Sequence, residues 1–492
     1  MSASRDPGYG VADPSVRDQG LHRLAAGTLL VAFQGTTAPE WVLRGLEAGL
    51  GGVTLFGFNV RDPGQVAALT ASLNAAGHPI ISLDEEGGDV TRLAYHTGSP
   101  YPGNAALGAV DDVELTEQVY RAIAAELAAC GVNLDMGPVA DINTADDNPV
   151  IGTRSFGSSA DLVARHTVAA VRGLQSLGVA ACVKHFPGHG ATSQDSHLEI
   201  PVVRASRELL WERELVPFRA AIEAGAKSIM TAHVAIPELT GDLPATLSRA
   251  TLTTLLREEL GFDGVVISDA LDMHAVSKSV GLVEGAIRSL AAGADLLCLG
   301  PLPTPEDIRE MLAGIRNAVA EGRLPLSRLE EANERVARLR EWLAAPHERA
   351  AGSDGIGLAA ARRAVSLTGT APPLVDPFVV ELDTPPSIAV GEVPWGLAPW
   401  LPEAEVARVK PAEADARALL DRAAGRSLII VVKDAHRHAH SRELISALLA
   451  ERPDAVIVEM GLPIWRPPAA AYIATYGAAR ANAQAAVELL RG

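Results

Sequence analysis

Short apolar runs rich in Val, Ile and Leu recur along much of the chain, and the longer stretches between them carry apolar residues at helical spacing. The runs at 28–33, 52–56, 79–83, 132–136, 179–183, 228–231, 264–268 and 295–299 predict eight strands. The stretches at 112–129, 159–177, 209–223 and 283–292 predict amphipathic helices. Strands alternating with helices are the rhythm of βα units and a parallel sheet. Eight of them within about 330 residues predict an α/β protein built on an N-terminal (β/α)8 TIM-type barrel with insertions.

Past residue 339 the rhythm changes. A stretch at 344–362 rich in Ala, Gly, Ser and Asp reads as a linker. Beyond it, strands are predicted at 378–382, 387–390, 427–432, 455–459 and 471–475, with helices at 412–423, 442–450 and 478–490. The resulting layout is a polar tail at 1–20, a barrel at 21–343, the linker, and a smaller C-terminal α/β sandwich at 363–492. Two domains agree with length, since 492 residues exceed the roughly 250 that one barrel core organises. The second part has no glycine-rich phosphate loop. Its D-A-H-R-H-A-H run at 434–440 reads as a solvated surface turn ahead of a metal site.

Composition narrows the function. A formal charge of −18 argues against nucleic-acid or anionic-membrane partners, which call for clustered Lys and Arg. No apolar run reaches the roughly 18 residues of a membrane span. The start lacks a basic segment followed by an apolar one, so a cytoplasmic location is expected. Cys130, Cys182 and Cys298 are scattered and odd in number, and read as buried thiols of a reducing compartment.

Barrel enzymes gather their chemistry at the C-terminal ends of the strands. Asp84 ends the third predicted strand, Lys184 and His185 the fifth, and Ser268 and Asp269 the seventh. His233 lies near the end of the sixth, and the loop V-I-G-T-R-S-F-G after the fourth presents Arg154. The segment K-H-F-P-G-H-G-A-T-S-Q-D-S-H, 184–197, is far longer than the roughly 2 to 6 residues of an ordinary strand-to-helix connection. Asp269 reads as a nucleophile or charged stabiliser, against the plainer reading of a helix cap. Asp195 beside His197 is suited to fixing an imidazole tautomer and keeping it protonated as a general acid. A metal at His185, His189, Asp195 and His197 competes, but neither H-x-x-x-H nor paired Cys spacing is present, so none is expected. Asp84, Arg92, Arg154 and Lys184 are suited to gripping a polyol, although each alone also reads as a structural ion pair.

Taken together, K-H-F-P-G-H-G-x-T-x-x-D-S-H, D-E-E-G-G, R-S-F-G and I-S-D-A-L-D-M resemble glycoside hydrolase family 3 in its β-N-acetylglucosaminidase branch. The resemblance spans about 21–343, and the final part, with A-Y-I-A-T-Y-G, looks like the family's sandwich domain. It implies a retaining exo-hydrolase of terminal β-linked N-acetylglucosamine, often on peptidoglycan fragments, acting on a small carbohydrate without cofactor or metal. Asp269 then falls on the nucleophile, His197 on the acid/base and Asp195 on its dyad partner. Asp84, Arg92, Arg154, Lys184 and His185 fall on sugar-binding positions. Two residues depart from the family's usual D-Q-E-G-G-R: Glu85, and Asp89, which is expected to alter contacts beyond the first sugar. A broad-specificity β-glycosidase and a β-N-acetylglucosaminide phosphorylase remain alternatives on the same site, and the oligomeric state is left open.

Overall fold

The structure, a computed structural model, describes residues 14–196, 199–348 and 355–492. Eight parallel strands close a barrel in sequence order. They are β1 Leu29–Val31, β2 Gly52–Thr54, β3 Ile80–Leu83, β4 Leu134–Asp135, β5 Ala180–Phe186, β6 Ser228–Thr231, β7 Val265–Ser268 and β8 Leu296–Cys298. Closure is made by β8 on β1, with Leu29 opposite Leu297. Every strand residue is buried, which explains why the strands read as unbroken apolar runs: one face fills the barrel and the other lies under helices. Leu30, Ile80, Leu134, Cys182, Met230, Ile267 and Leu296 form the interior cluster. Their neighbours Leu29, Val31, Ile81, Val183, Ile229, Val266 and Leu297 pack outward.

The N-terminal ends of the strands are closed by structural contacts. The helix Leu326–Ala344 sends Val336 and Leu339 into the interior cluster, and Arg340 donates to the Gly51 carbonyl at 2.6 Å. Asp295, fully buried just before β8, pairs with Arg257 and Arg328 and accepts Val266 N–H at 2.9 Å.

A second sheet runs in the order β11-β10-β12-β13-β14-β9. Its strands are β9 Ser366–Gly369, β10 Phe378–Leu382, β11 Glu405–Val409, β12 Leu428–Val432, β13 Val456–Glu459 and β14 Ala471–Ala474. All pairings are parallel except β9 on β14. The structure differs from the sequence reading at the edges of this sheet. Segment 387–390 is a loop, and β9 and β11 are strands that the apolar pattern does not announce. Both are edge strands with exposed or half-buried side chains, so they lack the apolar signal of β10 and β12. Starting inside the stretch read as a linker and running past its end, Ile356–Ala364 is a helix with Ala360, Ala361 and Ala364 buried. Pro14–Ala26 is likewise helical, extending into the stretch read as a polar tail.

The C-terminal edge of the second sheet faces the barrel mouth. Arg92 donates to the carbonyls of Ala389 at 2.8 Å and Val390 at 3.2 Å. Asp89 accepts from Thr153 Oγ1 at 2.9 Å and from Ala478 N–H at 2.7 Å, and it pairs with Lys433 at 3.1 Å. Asp89 is therefore spent on this seam. The 434–440 run lies here too: His436 Nε2–H donates to the Asp146 carbonyl at 2.8 Å, so part of it is contact surface rather than a solvated turn.

Candidate active site

At the C-terminal end of the barrel lies a cavity of about 370 Å³. Asp84, Arg92, Arg154, Lys184, His185 and Asp269 all line it, although they come from four different segments of the barrel: the loops after β3 and β4, β5 itself and the end of β7. His189 and Ser196 line it as well, and Ile388 and Ala389 reach it from the second sheet. Asp195 lies against an adjoining cavity of about 650 Å³ between barrel and second sheet. Val150 and Arg154 border both. His197 lies outside the described residues.

One wall is a buried ionic network. Lys184 Nζ sits 2.6 Å from Asp84 Oδ1 and 2.7 Å from Glu86 Oε1. Arg154 grips Glu86 with two parallel bonds of 2.9 and 2.8 Å, and Arg92 stands 3.5 Å from Asp84. Burial alone pushes both carboxyls up, but the surrounding cations outweigh it. Glu86 is held at about 2 by Arg154 and Lys184, and Asp84 well below the ordinary range by Lys184 and Arg92. Burial likewise works against the Lys184 ammonium, and Asp84 and Glu86 more than reverse it. The network is therefore fully charged at neutral pH. It offers fixed donors and acceptors of the kind that hydroxyl pairs on a sugar require.

A second wall is built by β5 and the loop after it. The pairing of β5 with β6 shifts register between Val183 and Phe186, an irregularity of the sort that re-aims side chains at barrel rims. His185 Nδ1 is bonded to Asp141 Oδ2 at 2.6 Å, and Asp141 Oδ1 accepts His189 N–H at 2.7 Å. Asp141 is fully buried; burial raises its carboxyl, yet His185 and its other partners hold it below the ordinary value. Among the described residues no three His, Cys, Asp or Glu side chains converge as a metal-ligand set would.

Asp269 follows β7 directly. Its Oδ1 accepts Ala270 N–H at 2.8 Å, and its own N–H donates to Thr231 Oγ1 at 3.3 Å. The next helix, His274–Ser277, has Met273 at its N-cap position and no side-chain cap bond, so Asp269 is not its cap. His233 is fully buried between Thr246 Oγ1 at 2.8 Å and the Ala270 carbonyl at 2.9 Å, and supports the Asp269 turn from behind.

Sequence reasoning passed over Glu86, Asp141 and Ser196. Glu86 and Ser196 stand inside motifs already quoted, where only their neighbours drew attention. Asp141 lies in G-P-V-A-D-I-N, whose acid carries no mark distinguishing it from an ordinary loop residue. The contribution of Ile388 and Ala389 depends on tertiary docking and has no local signal.

Comparison with known proteins follows the same lines. The family model described as glycosyl hydrolase family 3 N terminal domain matches residues 31–339. A β-hexosaminidase of Nitrosomonas eutropha is 35% identical over 328 residues, 64% of this chain and 92% of that one. β-Hexosaminidase A of Pseudoalteromonas piscicida is 33% identical over 321 residues, and the match spans 54% of that protein's length. Among solved structures, a glycoside hydrolase family 3 β-N-acetylglucosaminidase from Paenibacillus sp. strain FPU-7 superposes with a TM-score of 0.87 at 32% identity, covering 96% of each chain.

Proposed function

The chain belongs to glycoside hydrolase family 3, and on that premise we propose that it is a retaining, exo-acting β-N-acetylglucosaminidase that releases terminal β-linked N-acetylglucosamine. The observation that carries the reading is convergence. Asp269, Asp84, Lys184 and Arg154 face one cavity of sugar-binding size, with buried Glu86 tying Lys184 to Arg154, adjacent to the loop that bears Asp195. The relatives' names, which specify hexosaminidase and β-N-acetylglucosaminidase activity, support the choice of sugar.

In this mechanism the Asp269 carboxylate attacks the anomeric carbon as the bond to the leaving oxygen breaks. His197, protonated and paired with Asp195, gives that oxygen its proton. The neutral imidazole then takes a proton from water, which attacks the anomeric carbon, frees Asp269 and leaves the configuration retained. The permanently charged Lys184–Asp84 pair fixes hydroxyls of the sugar, so that the anomeric carbon meets Asp269 rather than solvent. Peptidoglycan-derived fragments in the cytoplasm are the proposed natural substrates. Among the described residues no helix is long and apolar enough to cross a membrane.

The test is to trap the intermediate with an activated 5-fluoro N-acetylglucosaminide and map the labelled peptide. The adduct is expected on Asp269, and an adduct on another side chain refutes the assignment. Turnover of aryl N-acetylglucosaminide should exceed that of the matching glucoside by at least about 100-fold, since a site built to hold a polar substituent rejects the analogue lacking it. Equal rates refute the proposed specificity.

A further inference from the structure

The loop after β5 is held in two ways along its length. Up to Gly190 its backbone is laced to the loop after β4. His189 N–H donates to Asp141, Asn148 Nδ2 donates to the His189 carbonyl at 2.9 Å, and Thr144 N–H donates to the Gly190 carbonyl at 3.1 Å. Further on, the segment folds upon itself: Val202 N–H donates to Gln194 Oε1 at 2.9 Å, and Glu199 N–H to the Asp195 carbonyl at 3.1 Å. A bond between His189 Nε2 and Ser196 Oγ, 3.0 Å long, joins the laced part to the self-folded part. Both partners are buried, His189 at 1% exposure and Ser196 at 2%.

The bond needs one hydrogen, and either His189 Nε2 or Ser196 Oγ supplies it, since both an imidazole nitrogen and a hydroxyl can donate or accept. Burial keeps the ring neutral, with its pKa pulled down to about 4.

We propose that His189 is a positioning residue for proton transfer: by holding Ser196 against the β5 loop, it fixes where the covalent neighbour Asp195, partner of the proposed general acid, presents its side chain. The inference rests on the reading that this segment carries the general acid. Consecutive Cα atoms are about 3.8 Å apart, so an anchored Ser196 confines Asp195, whereas an unanchored one leaves that carboxylate to sample positions from which it no longer orients the acid. His189 neither gives nor receives the transferred proton.

The test uses the full chain and two substrates that differ in their need for an acid. Phenyl N-acetyl-β-glucosaminide expels a phenolate whose conjugate acid has a pKa of about 10, and this leaving group depends on protonation. The 2,4-dinitrophenyl analogue leaves without help. Ser196→Ala is expected to lower kcat/KM about 30-fold on the phenyl substrate and less than about threefold on the dinitrophenyl one, within the range that general acid catalysis contributes. Ser196→Thr, which keeps the hydroxyl, should recover most of the loss. Equal losses on both substrates, or no loss on the phenyl substrate, overturn the proposal. His197→Ala serves as the reference. If it shows the phenyl-selective loss while Ser196→Ala does not, positioning fails and the acid assignment stands. If His197→Ala is itself unselective, the acid assignment fails and this inference falls with it.

Discussion

Glu85 shows how burial sets the behaviour of a single residue. It lies beneath the Asp84–Lys184 network at 3% exposure, and its Oε2 accepts the N–H groups of Arg92 at 2.9 Å and Leu93 at 3.0 Å. Burial dominates and raises its carboxyl to about 7, so up to neutrality it is an uncharged hydrogen-bonding group. That accounts for a glutamate at a position where the resembled family usually has glutamine. The consequence for stability has a definite sign. The folded pKa lies above the unfolded value of 4.5, so the native state binds the extra proton between these limits. The associated stability is complete below pH 4.5 and is lost as pH rises toward 7. Glu85→Gln removes the titration and keeps an acceptor. Its denaturant midpoint should therefore gain on the wild type progressively from pH 5 to 7 and level off above, reaching an advantage of a few kcal/mol at most. A difference that does not change with pH contradicts the assignment. Other buried acids, Glu459 among them at about 8, also tilt the wild-type profile, so the comparison between variant and parent is the informative quantity.

Among elements, the barrel strands separate stability from chemistry along their length. Asp295 precedes β8 at the closed end, fully buried between Arg257 and Arg328. Asp269 follows β7 at the open end. Asp295→Ala leaves the guanidinium groups of Arg257, Arg328 and Arg335 without their buried carboxylate, a change that typically costs about 3 to 5 kcal/mol. Because the loss is confined to the face remote from the cavity, KM for an aryl N-acetylglucosaminide should stay within about twofold. Thermal unfolding and steady-state kinetics on the same preparation check both halves, and a large KM change would show that the two faces are not independent. The same polarity explains what was legible in the sequence. Barrel strands buried on both faces stand out as apolar runs, and a charged residue directly after such a run must lie at the mouth, as Asp84 and Asp269 do. Edge strands carry no such mark, so β9 and β11 went unread, while Ser-Ile-Ala-Val at 387–390 satisfied a strand pattern although it is a loop. Its Ile388 is 62% exposed, and two of its carbonyls are taken by Arg92 rather than by a neighbouring strand.

At the scale of the whole molecule, barrel and second sheet have their own hydrophobic clusters, the helix Ile356–Ala364 packs against both, and polar contacts join them beside the cavity. Arg92 touches both sides of that seam: its guanidinium stands beside Asp84 in the pocket and donates to Ala389 and Val390 in the sheet's loop. Asp89 performs the parallel task with Lys433 and Ala478. The second sheet is then more than a cover, because the loop that Arg92 holds supplies Ile388 and Ala389 to the cavity wall. Substitutions at the seam should accordingly register in binding and in cooperativity together. Asp89→Ala removes a buried carboxylate that three groups share, and leaves the Lys433 ammonium and the Ala478 N–H without it. Calorimetry of the wild type should give a single transition; the variant should split into two, because two cores that no longer stabilise each other unfold independently. KM for the aryl substrate should rise about tenfold, with kcat within about threefold, since a displaced wall weakens binding in the ground state and the transition state alike. A variant that still melts in one step with unchanged KM would mean that the apolar contacts across the seam suffice, and that Asp89 and Arg92 do not couple the sheet to the cavity.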